Sequence, residues 1–148
     1  MALPPLPAEA VTVGATAGDW RAAVRLVGEA LARSGAARVG YTDEMIRMIE
    51  EHGPYVVIAP GLALAHARPG PDVVADGLAL VTLATPVPFG HPHNDPVSVV
   101  LGLAIVDASS HLASVAAIAN VFNDSTAIEE LAAATTVEEI QRIMGVVA

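Results

Sequence analysis

Apolar residues recur at helical spacing near both ends of the chain and run together through its middle. Trp20, Val24, Val27 and Leu31 fall on one face of a helix predicted to reach about Ala32, with Thr16-Ala-Gly-Asp19 as an opening capping box and Gly35 as its end. A second helix is predicted from Asp43 to about His52, capped by Thr42 and stopped by Gly53-Pro54. The grammar then changes. Tyr55–Ala59, Leu62–Ala65, Gly77–Ala84 and Val97–Val106 are short runs rich in β-branched and aliphatic residues and bounded by turn formers, which predicts strands, and Val11–Val13 predicts a shorter one. The segment Pro86–Pro96 holds four prolines in eleven residues and reads as a fixed loop, as does Pro69–Pro71. Helical spacing returns over Ser109 to about Phe122, then after Asn123-Asp124 to about Ala134. A last helix opens on the capping box Thr136-Val-Glu-Glu139 and places Ile140, Ile143 and Met144 on one face.

Strands that are nearly continuous in apolar residues are buried on both faces. The fold expected is therefore α/β, a mixed β-sheet flanked by helices on both faces of a single domain. Residues 1–10 read as a flexible Pro-rich tail, and residues 11–148 as the domain.

Charge and composition narrow the partners. There are 16 Asp plus Glu against 7 Arg and no Lys, a formal net charge of −9, which repels nucleic acid and anionic lipid. No cysteine is present, so disulfides, thiolate metal sites and cysteine nucleophiles drop out. The N-terminal residues lack a basic region, and prolines break their apolar run. The apolar stretch at Val97–Val106 is half the roughly 20 residues a bilayer-spanning helix needs. A cytoplasmic protein without membrane insertion is expected.

The chemistry points to histidine. No phosphate-binding Gly-rich Lys-Ser/Thr loop, no Gly-x-Ser-x-Gly elbow and no His-Glu-x-x-His occurs. Asp107, Ser109 and His111 lie too close along the chain to converge as a hydrolase triad. Four of the five histidines sit in or beside loops at strand ends: His66, His91, His93 and His111. Neutral imidazole is a good nucleophile near pH 7, and its phosphoramidate is labile, so it suits reversible relay of a phosphoryl group. Arg68 lies two residues past His66, on the same side if the strand continues, where a cation would stabilise phosphate charge. A half-buried structural histidine beside a solvated arginine fits the same spacing. His111 falls in the first turn of a helix, where free amides favour anions. His91 and His93 read as solvated loop residues, or with His66 and His111 as a zinc set. His52 suits the end of its helix. Asn94 and Asp95 either orient a histidine or brace the loop before Pro96.

The stretch Gly53-Pro-Tyr-Val-Val-Ile-Ala-Pro-Gly-Leu-Ala-Leu-Ala-His-Ala-Arg-Pro69, followed by Asn94-Asp-Pro-Val97 and by Asp107 with His111, resembles enzyme IIA components of the phosphotransferase system. The mannitol/fructose class, and above all its ascorbate-type members, are similar over about residues 17–145. The resemblance implies a sheet between helices and a sugar-transport phosphocarrier. Within it His66 is the phosphorylated residue, and His111 and Arg68 stabilise the transferring group. The implied donor is the histidine-containing phosphocarrier HPr. The implied acceptor is a cysteine of a IIB component, coupled to a membrane IIC component, with no cofactor and no metal. A regulatory, nitrogen-type binding module on the same fold is the neighbouring alternative. The family's Pro before the histidine and Gly after it are replaced here by Ala65 and Ala67. Leu62, Leu64, Val87 and Phe89 are expected to form an apolar docking rim around His66.

Overall fold

The computed structural model describes residues 3–124 and 126–145. Five strands form one mixed sheet: β1 (Val11–Ala15), β2 (Val57–Ala59), β3 (Leu62–His66), β4 (Gly77–Val87) and β5 (Val97–Ala104), in the spatial order β1-β4-β5-β3-β2. The β1–β4 and β3–β5 pairs are parallel, and the β4–β5 and β2–β3 pairs antiparallel.

Leu78, Ala79, Leu80 and Val81 are all fully buried, as are Val99, Val100 and Leu101. Successive strand residues point to opposite faces, so both faces of the sheet centre are covered. Helix α1 (Trp20–Arg33) lies across β4 and β5 on one face, and Gly102 lets it approach: a Cβ there would stand 2.8 Å from Val27 Cγ2. Helix α2 (Gly40–His52) packs on α1 where Gly28 meets Thr42, a crossing a Cβ at position 28 would obstruct. After α3 (Ala108–Val121), helices α4 (Ala127–Ala133) and α5 (Val137–Met144) complete the chain; α4 lies against β4 and β5, and α5 against β1.

Several boundaries differ from the sequence reading. Asp19, not Thr16, caps α1, its carboxylate accepting the Ala22 N–H at 2.8 Å. Helix α2 begins at Gly40 without a side-chain cap, and Thr42 is buried against Gly28 instead of capping. Tyr55 stays in the turn after Gly53-Pro54, which shortens β2 to three residues. Strand β4 runs on through Pro86 to Val87, and β5 stops at Ala104. Of the predicted tail, residues 3–10 are described and are held in place: Leu6 is buried, its carbonyl accepts from Gln141 Nε2 at 3.0 Å, and the Pro5 carbonyl accepts from Leu78 N–H at 2.9 Å. One apolar side chain and two hydrogen bonds offset the entropy of holding that segment.

Candidate functional site

Strands β3 and β5 are parallel, so their C-terminal ends open at the same end of the sheet. His66, the last residue of β3, is in register with Leu103 near the end of β5. Three residues beyond the end of β5, Asp107 caps α3 by accepting the Ser110 N–H at 2.9 Å, and His111 follows in the next turn. This brings two residues distant in sequence together, with the imidazole centroids of His66 and His111 5.3 Å apart at 46°. Tyr55 stands edge-on to the His66 ring, 5.6 Å away at 86°. The rings line a depression of about 280 Å³ completed by Met48, Ala67, Arg68, Pro69 and Ala108.

The orientation of His66 is set by its own strand. Its Nδ1 lies 2.8 Å from the Leu64 carbonyl oxygen. A carbonyl can only accept, so Nδ1 carries the hydrogen and Nε2 keeps its lone pair. Burial pulls the His66 pKa below the ordinary imidazole value; the Leu64 carbonyl opposes this in part and nearby His111 adds to it. The ring is half-buried, its neutral form is favoured by burial, and the tautomer set by Leu64 leaves the lone pair on Nε2.

Arg68 lies beyond the end of β3 and is exposed at the same depression. Among the described residues it forms no ion pair or hydrogen bond. Its charge is felt by Tyr55, whose phenol burial raises and Arg68 lowers, with burial the larger effect. Asp107 accepts further bonds from Ser109 Oγ at 2.7 Å and Ser110 Oγ at 3.0 Å; the Ser110 N–H first, then these hydroxyls, hold its carboxyl below the usual range. That carboxylate occupies part of the helix terminus, so the amides there are not all available to an anion. The replacement of Gly by Ala67 costs nothing in backbone strain, since no described non-glycine residue has positive φ.

The other two loop histidines are elsewhere. Asp95 accepts N–H groups of Phe89 at 3.0 Å, Gly90 at 2.7 Å and His91 at 3.0 Å. His91 Nδ1 accepts from His93 N–H at 3.1 Å and Asn94 N–H at 3.0 Å, and the Asn94 carbonyl takes the Gly61 N–H at 3.0 Å. Asp95 and Asn94 therefore brace the loop. This loop enters β5 at Val97, whereas His66 and His111 lie at its far end, roughly 20 Å away at about 3.3 Å per residue. A zinc set of His66, His91, His93 and His111 is excluded by that separation. The expected docking rim is also corrected: Leu62, Leu64, Val87 and Phe89 are core residues, at most 4% exposed, because β3 and the end of β4 are covered by their neighbours. Tyr55, which lines the depression, is exposed, as are Val106 and Leu112, the sequence neighbours of Asp107 and His111. His52 ends α2 as expected, its exposed ring 6.3 Å from Tyr55.

Tyr41 and Tyr55 are the residues of the site that sequence reasoning missed. The Tyr41 hydroxyl accepts the Ala67 N–H at 3.0 Å and donates to the Leu103 carbonyl at 2.7 Å. Tyr41 belongs to no motif, and Tyr55 lies in the Gly53–Pro69 stretch only as a predicted strand residue; the three-dimensional approach of α2 and the β2 turn to β3 brings both to the site.

Residues 5–145 match the family described as phosphoenolpyruvate-dependent sugar phosphotransferase system, EIIA 2. The chain is 36% identical over 133 residues to the ascorbate-specific PTS system EIIA component of Shigella boydii, covering 89% of this chain and 86% of that one. A putative PTS IIA domain from Streptococcus pyogenes superposes with a TM-score of 0.85 at 35% identity, covering 93% of this chain and 89% of that one. The IIA mannitol structure from Escherichia coli gives a TM-score of 0.84 at 25% identity, over 95% and 99% of the two chains. Among the described residues no helix is long and apolar enough to cross a membrane. This chain belongs to the EIIA 2 family of the sugar phosphotransferase system and is a phosphocarrier component of that system.

Proposed function

We propose that His66 is the phosphoryl acceptor and that Nε2 is the atom that takes the group. The observation that carries this reading is the 2.8 Å contact of Nδ1 with the Leu64 carbonyl, which leaves the lone pair on the opposite side of the ring. The donor is phosphorylated HPr. The Nε2 lone pair attacks phosphorus in line, the P–N bond to the donor imidazole breaks, and that imidazole leaves with the bonding electrons. In the second half the thiolate sulfur of a IIB cysteine attacks the same phosphorus, and His66 is released neutral.

A metaphosphate-like group carries its charge on three equatorial oxygens, so catalysis consists of positioning and charge stabilisation. His111, across the depression, donates a hydrogen bond to one oxygen, and Arg68 supplies positive charge at the rim. Such donors act without a metal or nucleotide, and no cofactor is part of the mechanism. Tyr55, Val106 and Leu112 supply the apolar contact for partners that bind in turn and leave. The protein works in the cytoplasm beside a membrane IIC component that selects the sugar. The ascorbate-specific relatives favour ascorbate as that sugar.

Incubation with phosphorylated HPr, followed by mass spectrometry, tests the reading. One acid-labile phosphate is expected on the peptide containing His66, and none in His66→Ala. Addition of a purified IIB component then discharges it. A phosphate persisting in His66→Ala would move the assignment to another histidine.

A further inference from the structure

Tyr41 occupies a place in the sheet that belongs to the main chain. The Leu64 N–H bonds the Val56 carbonyl on the β2 side, so alternate residues Ala63, Ala65 and Ala67 aim their N–H groups at β5. With His66 in register with Leu103, a continued parallel ladder would give the Ala67 N–H to the Leu103 carbonyl. No direct hydrogen bond between these two groups is found among the described residues. The Tyr41 hydroxyl stands between them, accepting from Ala67 N–H at 3.0 Å and donating to Leu103 O at 2.7 Å.

We infer that Tyr41 is a positioning residue for phosphoryl transfer, its hydroxyl wedged into the β3–β5 ladder to part the strands immediately after His66. The inference rests on His66 being the acceptor. A direct rung spans about 2.9 Å, and an inserted oxygen holds the two main-chain groups further apart. The chain then turns out through Ala67, Arg68 and Pro69 to line the depression, and the backbone that carries the His66 ring is fixed at both ends: Leu64 holds Nδ1, and Tyr41 holds the next amide. The wedge is durable. Tyr41 is buried, and burial pushes its phenol up to about 12, so the hydroxyl remains a donor at every physiological pH. Helix α2 thereby reaches the nucleophile without touching the transferred group.

The test is Tyr41→Phe, which keeps the ring and removes the wedge. Ala67 and Leu103 can then close to a direct bond, drawing the His66 backbone toward β5. A displacement of about 1 Å at a reacting group costs on the order of 10²-fold in rate. Transfer from phosphorylated HPr to Tyr41→Phe is expected to slow by 10- to 100-fold in the rate constant, with little change in apparent affinity for the donor. In the unphosphorylated variant the His66 ¹⁵N shifts should move toward the average of the two tautomers as the Leu64 contact loosens. Met45→Ala is the control: Met45 is fully buried on the same helix and touches neither main-chain group of the rung by hydrogen bond, so it lowers stability while leaving the His66 spectrum and rate unchanged. Wild-type rate and unaltered ¹⁵N shifts in Tyr41→Phe would overturn the wedge, as would an equal loss in Met45→Ala. Failure of the wild-type protein to accept phosphate on His66 would instead remove the acceptor assignment, which the tautomer measurement does not depend on.

Discussion

The imidazoles of His66 and His111 stand 5.3 Å apart, tilted at 46°, one on the last residue of a strand and the other in the first turns of a helix. In the proposed transfer a phosphoryl group on one ring is hydrogen-bonded by the other. If His111 only supports phosphate, its loss should be graded. Removing one positioned donor to a transferring oxyanion costs about 10²–10³ in rate. His111→Ala is therefore expected to accept phosphate from HPr slowly, still on His66, and His111→Gln to recover part of the rate. Rapid-quench measurement of phosphorylation checks this, and wild-type rates in His111→Ala would remove the role.

Burial and the neighbouring His111 hold the His66 pKa below 6.5, so the ring stays neutral to lower pH than a free histidine. The nucleophilic form therefore persists through pH 6.5, and phosphoryl acceptance by His66 should fall only at more acid pH. The same shift has a sign for stability. In the unfolded chain the ring binds its proton near pH 6.5 while the folded ring does not. This contribution is thus complete above that pH and is lost as pH falls from there through the folded value. Titration of the His66 ring followed by NMR reads the midpoint directly, and a midpoint above 6.5 would contradict the burial argument.

We propose that Arg68 acts by charge alone. It is exposed and has no partner among the described residues, so Arg68→Lys should keep most of the transfer rate, and Arg68→Glu should slow it far more than Arg68→Ala. Raising the salt concentration should narrow the difference, since exposed charges are screened. A rate indifferent to the sign of residue 68 would exclude it from the site.

Asp95 belongs to the loop at the opposite end of the sheet. Its carboxylate satisfies three backbone N–H groups, and its removal leaves them to find water. Asp95→Ala is expected to lower unfolding free energy by about 1–3 kcal/mol with phosphoryl transfer intact. Denaturant melts and transfer rates measured on the same sample separate the two effects. Loss of transfer with unchanged stability would show that this loop reaches the active end.

The sheet and its helices were legible because their signals are local. The apolar runs of β4 and β5 announce strands buried on both faces, and the face formed by Trp20, Val24, Val27 and Leu31 announces α1. His66 and His111 stood out by residue type, by strand-end position and by resemblance. What the sequence concealed was contact between elements. Asn94 and Asp95 lie in a matching motif, yet parallel pairing of β3 with β5 sends them to the far end of the sheet from His66. Leu62 and Leu64 alternate with alanines as a half-exposed strand would, but β3 is interior and both are buried. Tyr41 reads as one more helix residue, because nothing local signals that its hydroxyl will meet the main chain of two strands.

The central claim is that Nε2 of His66 carries the phosphoryl group. The direct measurement is NMR of the protein labelled with ¹⁵N and phosphorylated through HPr, which resolves the phosphorus–nitrogen coupling. The coupling is expected at Nε2 of His66, with Nδ1 still protonated and bonded to the Leu64 carbonyl. Phosphorus coupled to Nδ1 of His66, or to either nitrogen of His111, would contradict it.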